Sequence, residues 1–323
     1  MFSINSKGDS WAIILRNIKC QLLLIKRFYK FSGNLRRLNC AVFMVDGRHY
    51  HGGLTDRLKG IVSIYAYAKS AGIPFRIHFV YPFKLESFLE PNRYDWRIED
   101  KEITYNLLIS NPIILFSELN GKRMFRLNKK RQHHFYLNRD ITPAINHHYG
   151  NDYGFAMLFN ELFRPTPLLQ EAVRTHKDRI GEEYYTIVFR FQQLLNDFSE
   201  GSFEILPTEE RKILIEKCLS AVRNISEDLG NPKILVTSDS RTFLEIVKDL
   251  PNVFILPGKL SHMEFPQRDE DTPVHLKSFL DLMMIAGSKK VYSVLVEGYR
   301  MYPTEFPKYA AIIGNKPFER IIV

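Results

Sequence analysis

The sequence predicts an α/β protein of two domains, each a parallel sheet flanked by helices, and three observations point there. At 323 residues the chain is too long for one small domain and suits two of roughly 150. Short apolar runs alternate with segments of helical periodicity along most of its length. The runs are continuous rather than alternating, as strands covered on both faces require. With 45% hydrophobic and 25% charged residues, the composition supplies enough apolar mass for two cores.

The elements follow in order. Residues 39–45 (NCAVFMV) read as a buried strand and lead into a glycine-containing turn, DGRHYHGGL. Over 56–70, Leu58, Ile61, Val62, Tyr65, Ala66 and Ala68 recur at helical spacing. Gly72 and Pro74 end that helix, and 75–80 (FRIHFV) is the next strand. Strand, glycine turn, helix, strand is a βαβ unit, which builds parallel sheets. Strands are expected at 102–108 and 112–116, followed by a basic run at 129–131 with His133 and His134. Beyond 150 the alternation is regular. Helices are expected at 159–179, 209–229, 241–249, 275–285 and 305–313, and strands at 185–191, 233–237, 252–256 and 290–295. The expected domains are 1–155 and 156–323, with ligands in a cleft outside the carboxyl ends of the strands.

Several classes are set aside. The chain has no G-x-x-x-x-G-K-[ST] and no G-x-G-x-x-G, so neither a P-loop nor a standard dinucleotide fingerprint is supported. Cys20, Cys40 and Cys218 are odd in number and widely spaced, which argues against a disulfide framework or structural zinc and suits a reducing cytoplasm. The net charge of +9 is concentrated early: Lys7, Arg16, Lys19, Lys26, Arg27, Lys30, Arg36 and Arg37 face Asp9 alone up to residue 40. Such charge attracts polyanions. Residues 11–31 also carry Ile13, Ile14, Leu15, Ile18, Leu22 and Leu23, the composition of an amphipathic helix. That helix either lies on an anionic membrane surface or packs on its own domain. Its cations interrupt any run long enough to span a bilayer, and no cleavable leader pattern is present. Nucleic acid is not the expected partner, because the charge lacks interleaved aromatics on a defined motif.

Three places could carry chemistry. Gly52 and Gly53 let backbone approach a ligand ahead of a helix offering free amides, though they read equally as a tight turn capped by Thr55. Arg190 ends the apolar strand YTIVFRF, where a guanidinium needs either a carboxylate or a bound anion. Asp239, in VTSDS, either caps the next helix or faces ligand. A hydroxyl-deprotonating base must be a carboxylate or histidine, and Asp56, with Asp46 and His51 as rivals, is placed for it.

Taken in order, these segments resemble the fucosyltransferase superfamily that includes the nodulation α-1,6-fucosyltransferases and protein O-fucosyltransferases. GGLTDRLKGIVSIYAYAKSAG (52–72) is similar to the family's opening loop and helix, and FNELFRPTPLL (159–169) to the segment joining its lobes. YTIVFR (185–190) falls where the family carries an H-x-R strand, and VTSDS resembles its A-T-D-D segment. SFLDLMMIAGSKKVYS (278–293) and TEFPKYAAIIGNKP (304–317) resemble the elements that close the nucleotide pocket and the last helix. The resemblance implies a GT-B fold of two facing Rossmann-like domains and an inverting, metal-independent transfer of fucose from GDP-fucose to a saccharide or glycolipid. It implies that Arg190 binds the β-phosphate and that Asp281 hydrogen-bonds the guanine edge. Gly52, Gly53, Asp239, Ser293, Thr304 and Phe306 would line the donor site, and Asp56 would approach the reacting carbon or acceptor hydroxyl. An arginine and helix amides can stabilise a departing diphosphate in place of a divalent ion. The D-x-D at 269–271 is expected to be a solvated turn. The chain departs from the family where Val188 replaces the histidine of H-x-R, where Gln192 and Gln193 stand in place of an adjacent acid with Asp197 further on, and where Pro307 replaces a small hydroxyl residue. The rival readings are a GT-B enzyme with another donor, such as a UDP-sugar or GDP-mannose, and a non-catalytic carbohydrate- or nucleic-acid-binding protein.

Overall fold

The first sheet is parallel throughout, with strand order Phe75–Phe79, Ala41–Val45, Gln132–Leu137, Ser110–Leu115, in the computed structural model, which describes residues 8–33, 38–115, 124, 127–197, 204–258, 263 and 272–323. Lys7, Arg36, Arg37 and the 269–271 turn lie outside the described residues. The chain divides into two units, Met1–Arg164 and Pro165–Val323.

The first unit runs α1 (Gly8–Phe28), β1 (Ala41–Val45), α2 (Leu54–Ala71), β2 (Phe75–Phe79), β3 (Leu89–Pro91), β4 (Ser110–Leu115) and β5 (Gln132–Leu137). After these come α3 (Thr142–Tyr149), α4 (Phe155–Leu162) and β6 (Phe163–Pro165), which pairs with β3. All five residues of β1 are buried, as its unbroken apolar run requires. α2 crosses this sheet at Gly60, where a Cβ would collide with the Leu137 carbonyl and the Phe43 ring. Glycine permits that close approach. The edge strand β4 carries Pro112, and Gln21 of α1 donates to the Pro112 carbonyl at 3.0 Å. At the other edge Ile77 of β2 donates its amide to the Trp96 carbonyl at 2.8 Å.

The amphipathic stretch is helical, and the apolar side chains described in it are divided between two faces. Cys20, Leu24, Ile25 and Phe28 pack on a cluster with Tyr29, Val42, Met44, Ile114 and Tyr136. Leu15, Ile18, Leu22 and Leu23 are exposed.

The second unit runs α5 (Pro167–Ile180), β7 (Tyr185–Phe189), α6 (Thr208–Asp228), β8 (Ile234–Ser238), α7 (Arg241–Val247) and β9 (Val253–Phe254). It continues through α8 (Thr272–Ala286), β10 (Val291–Leu295), α9 (Phe306–Ile313) and β11 (Phe318–Ile322). Its sheet is also parallel, ordered β11-β10-β7-β8-β9. The chain winds outward from β7 through β8 to β9, then returns to β7's other side with β10 and β11. That reversal is a doubly wound sheet with its switch point between β7 and β10. Phe189, Phe191 and Phe243 stack in its core, with centroids 4.8 Å apart for Phe189 and Phe243 and 5.1 Å for Phe191 and Phe243.

Two expectations are corrected. Residues 102–108 are not a strand. Thr104 N donates to Gln132 Oε1 at 2.9 Å, and Leu108 N to Asn106 Oδ1 at 3.0 Å. Side-chain acceptors have taken the bonds a ladder would need. The strand lies instead at β5 (QHHFYL), whose histidines disguise it. Both are buried with partners: His134 meets Tyr29 Oη at 2.6 Å and Gln132 Oε1 at 2.7 Å, and His133 meets the Asn128 carbonyl at 2.8 Å. The helix expected over 159–179 is two helices, because Pro165 and Pro167 force extended backbone between them and Thr166 caps α5. No helix among the described residues is long and apolar enough to cross a membrane.

Candidate functional site

At the carboxyl end of β7 the chain passes directly into Arg190. This is where the strand order reverses, so the loops after β7 and β10 must both cross this point. They are joined there: Tyr302 N, in the loop after β10, donates to the Arg190 carbonyl at 3.3 Å. Asp239 follows β8 in the neighbouring position, and its side chain is only 1% exposed. Its Oδ1 accepts from Phe191 N at 2.8 Å and its Oδ2 from Gln192 N at 2.7 Å. The same Oδ2 lies 3.1 Å from Arg190 Nη1. One buried carboxylate thus fixes the turn after β7 and aims its guanidinium. Gln192 sits at φ +55°, a left-handed conformation that these two bonds hold in place. Burial pushes the Asp239 carboxyl above the usual carboxylate range, while Arg190 and the two amides oppose it. Arg190 itself keeps 22% of its side chain exposed. A guanidinium held in direction by a carboxylate and not wholly buried is suited to a phosphate or carboxylate ligand.

Asp197 caps α7, accepting from Thr242 N at 2.6 Å and from Ser240 Oγ at 2.8 Å, while Ser240 accepts from Phe243 N at 3.1 Å. Val188 is buried in β7 and faces Ser293 of β10 and Thr237 of β8 in register. Ser293 is buried too. Thr304 Oγ1 accepts from Phe306 N at 3.2 Å, so these two residues form the start of α9, at the end of the loop that Tyr302 ties to Arg190. The structure thus draws Arg190, Asp239 and the Thr304–Phe306 segment toward the carboxyl end of one sheet.

Asp281 has a different partner. Lys277, one turn earlier in α8, holds it with Nζ to Oδ2 at 2.6 Å, and both side chains are buried. Burial raises the Asp281 carboxyl, with Lys277 and more weakly His176 opposing. This lysine was not singled out in the sequence, although its i,i+4 spacing to an acidic residue in a helix was the available signal.

In the first unit the corresponding end of β1 begins with Asp46. Tyr136 donates its hydroxyl to Asp46 Oδ2 at 3.0 Å, and Arg48 N donates to Oδ1 at 3.1 Å. His51 turns back over this loop, its Nε2 accepting from Asp46 N at 3.2 Å and Gly47 N at 3.1 Å. A nitrogen that accepts two amides carries no proton, so the 3.7 Å approach of His51 to Asp46 is not an ion pair. Burial, helped by the charges of Arg57 and His49, pushes His51 down to about 3. Gly52 has φ +77°, and a Cβ there would lie 2.8 Å from Asp56 Oδ2. Gly53 precedes α2 with no side-chain cap on that helix. Beneath the loop, fully buried Arg57 donates to the carbonyls of Gly52 at 2.9 Å and Tyr81 at 2.7 Å. Asp56, in the first turn of α2, pairs with Lys59 at 2.7 Å and keeps 39% of its side chain exposed. Among the described residues no three His, Cys, Asp or Glu side chains converge as a metal-ligand group.

These histidines set a pH dependence. His134 is also pushed down to about 3, chiefly by burial. Its folded pKa lies below the ordinary value near 6.5, so the unfolded chain binds more protons between the two. The stability it supports is complete above pH 6.5 and lost as pH falls toward 3. Asp46 and Asp239 are raised by burial and act oppositely, weakening the fold as pH rises above about 3.9. Between pH 8 and 5.5 His134 should account for a loss of about 1.4 kcal/mol. Unfolding free energies from urea at the two pH values should differ by that much less in His134→Asn, and an unchanged difference would exclude the neutral buried imidazole.

No family model matches the chain, and no curated protein matches its sequence. Solved structures do match its fold. A NodZ α-1,6-fucosyltransferase soaked with GDP-fucose is 12% identical with a TM-score of 0.54, over 85% of this chain and 92% of that one. Fucosyltransferase NodZ from Bradyrhizobium gives 12% identity and a TM-score of 0.52, over 86% of this chain and 93% of that one. A POFUT1 complex with GDP-fucose gives 9% identity and a TM-score of 0.48, over 91% and 99%. At 12% identity the likeness to the NodZ structures is one of fold, spread over most of both chains.

Proposed function

We propose that this chain is an inverting glycosyltransferase that moves fucose from GDP-fucose to a hydroxyl of a saccharide or glycolipid acceptor. The observation that carries the reading is Arg190 at the switch point of a doubly wound sheet, oriented by Asp239 and with 22% of its side chain exposed. The fold shared with fucosyltransferases solved with GDP-fucose and GDP supports it. In the proposed reaction an acceptor oxygen bonds to the anomeric carbon as the carbon–phosphate oxygen bond breaks, and the electron pair leaves on GDP. Arg190 neutralises the departing diphosphate, so the step needs no divalent ion. Asp56 takes the acceptor proton: it is exposed, whereas Asp46 is buried under Tyr136 and Arg48, and His51 is too weak a base. Gly52 and Gly53, Thr304 and Phe306, and Ser293 complete the donor site, and Asp281 with Lys277 reads the base. A GT-B arrangement of the two units belongs to the same proposal.

Melting with GDP, GDP-fucose, UDP and ADP tests it. A ligand at a hundred times its Kd adds about 2.7 kcal/mol. GDP and GDP-fucose should raise the midpoint while UDP and ADP leave it in place. A shift with UDP alone would replace the donor, and no shift with any nucleotide would remove the reading.

A further inference from the structure

We propose that the free face of α1 is a docking surface for an anionic lipid membrane. One side of this helix is committed to the protein through Cys20, Leu24, Ile25 and Phe28. On the other side Leu15, Ile18 and Leu22 follow one another at three and four residues, the spacing of a single helix face, and Leu23 stands beside them. Leu15 is 63% exposed and Leu22 60%. Four large aliphatic side chains exposed together on one helix are far from the scattered single residues of an ordinary surface.

Cations share that face. Lys19 and Lys26 lie along the same stripe as Leu15 and Leu22, and Arg16 and Arg27 flank it; all four are exposed. No acidic residue occurs between Ser10 and Val45. Past the end of the helix, Phe31 (74% exposed) and Leu108 (62%) are exposed as well, in segments joined by the bond from Leu107 N to the Lys30 carbonyl at 2.8 Å.

This mixture selects the occupant. A nucleic acid would meet the cations but leave the leucines in water. A second copy of the same face would cover the leucines but set cation against cation. A bilayer with anionic headgroups satisfies both: aliphatic side chains enter the acyl boundary while lysine and arginine stems reach back to the phosphates. The helix would lie in the plane of the surface, with its other side still carrying the first unit.

The test is co-sedimentation of the full chain with large vesicles of phosphatidylcholine, with or without 30% phosphatidylserine. Partitioning onto the anionic vesicles should exceed that onto neutral ones at least tenfold. Leu15→Ser with Leu22→Ser should reduce it at least tenfold with an unchanged melting temperature, and Lys19→Glu with Lys26→Glu should do the same. Equal binding to neutral vesicles would overturn the proposal. So would full binding by the leucine variant alongside lost binding by the charge-reversed one, the mark of a bare polyanion site. A dimer in sedimentation velocity that the serine variant dissociates would assign the face to a second copy instead. A large fall in the serine variant's melting temperature would show that the face is packed and would equally end the proposal.

Discussion

Arg190→Ala should lower GDP affinity more than a hundred-fold, beyond about 2.7 kcal/mol, in titration calorimetry. Arg190→Lys keeps the charge but not the planar fork, so a ten- to hundred-fold loss is expected, about 1.4–2.7 kcal/mol. The geometry gives the reason for a large effect. Asp239 already binds two backbone amides, so it holds the guanidinium in direction while its charge is shared with the turn. About a fifth of the Arg190 side chain stays exposed, at 22%. Melting separates this role from a purely structural one. If Arg190→Ala melts far below the parent yet binds GDP normally, the residue is a structural ion pair and its part in the proposed transfer falls.

The second large effect is on stability. Asp239→Ala should cost about 3–5 kcal/mol, because it strips acceptors from Phe191 N and Gln192 N and leaves Arg190 without its carboxylate. The buried charge is itself expensive, which is why burial raises its pKa, but deletion leaves three donors behind rather than an apolar pocket. Asp239→Asn can accept at only one atom and should fall between parent and Ala. Urea unfolding measures both, and a double-mutant cycle with Arg190→Ala isolates the pair. An Ala variant within about 1 kcal/mol of the parent would show that the turn after β7 is held by something else.

What the sequence shows of this fold follows from how its residues are solvated. β1, β7 and β10 are continuous apolar runs buried on both sides, so their composition alone marks them. α2 and α6 were equally plain from spacing, to within about two residues at each end. β5 was hidden because His133, His134 and Gln132 look polar until their partners are known, and those partners lie as far away in sequence as Tyr29. The same holds at the site. Arg190 and Asp239 were legible as strand-end residues, but their pairing depends on β7 and β8 lying side by side, a long-range fact. Asp281 is legible as a residue type, and its pairing with Lys277 four residues earlier is a local fact carried by helix spacing.

The outer strands of the two larger sheets each carry groups that are occupied, curtailed or charged. Pro112 lacks an amide and shares its carbonyl with Gln21; the Trp96 carbonyl takes an amide of β2; β9 is two residues long; and β11 carries Glu319 and Arg320, with Glu319 bound to Lys290 at 2.7 Å. Unguarded borders of this kind are templates on which another molecule can add a strand and begin an aggregate. A protein so rich in buried parallel strands exposes those borders while it folds, and its sheets take time to assemble because their partners are distant in the chain. Blunted borders therefore keep concentrated, newly made chains from propagating one another's sheets.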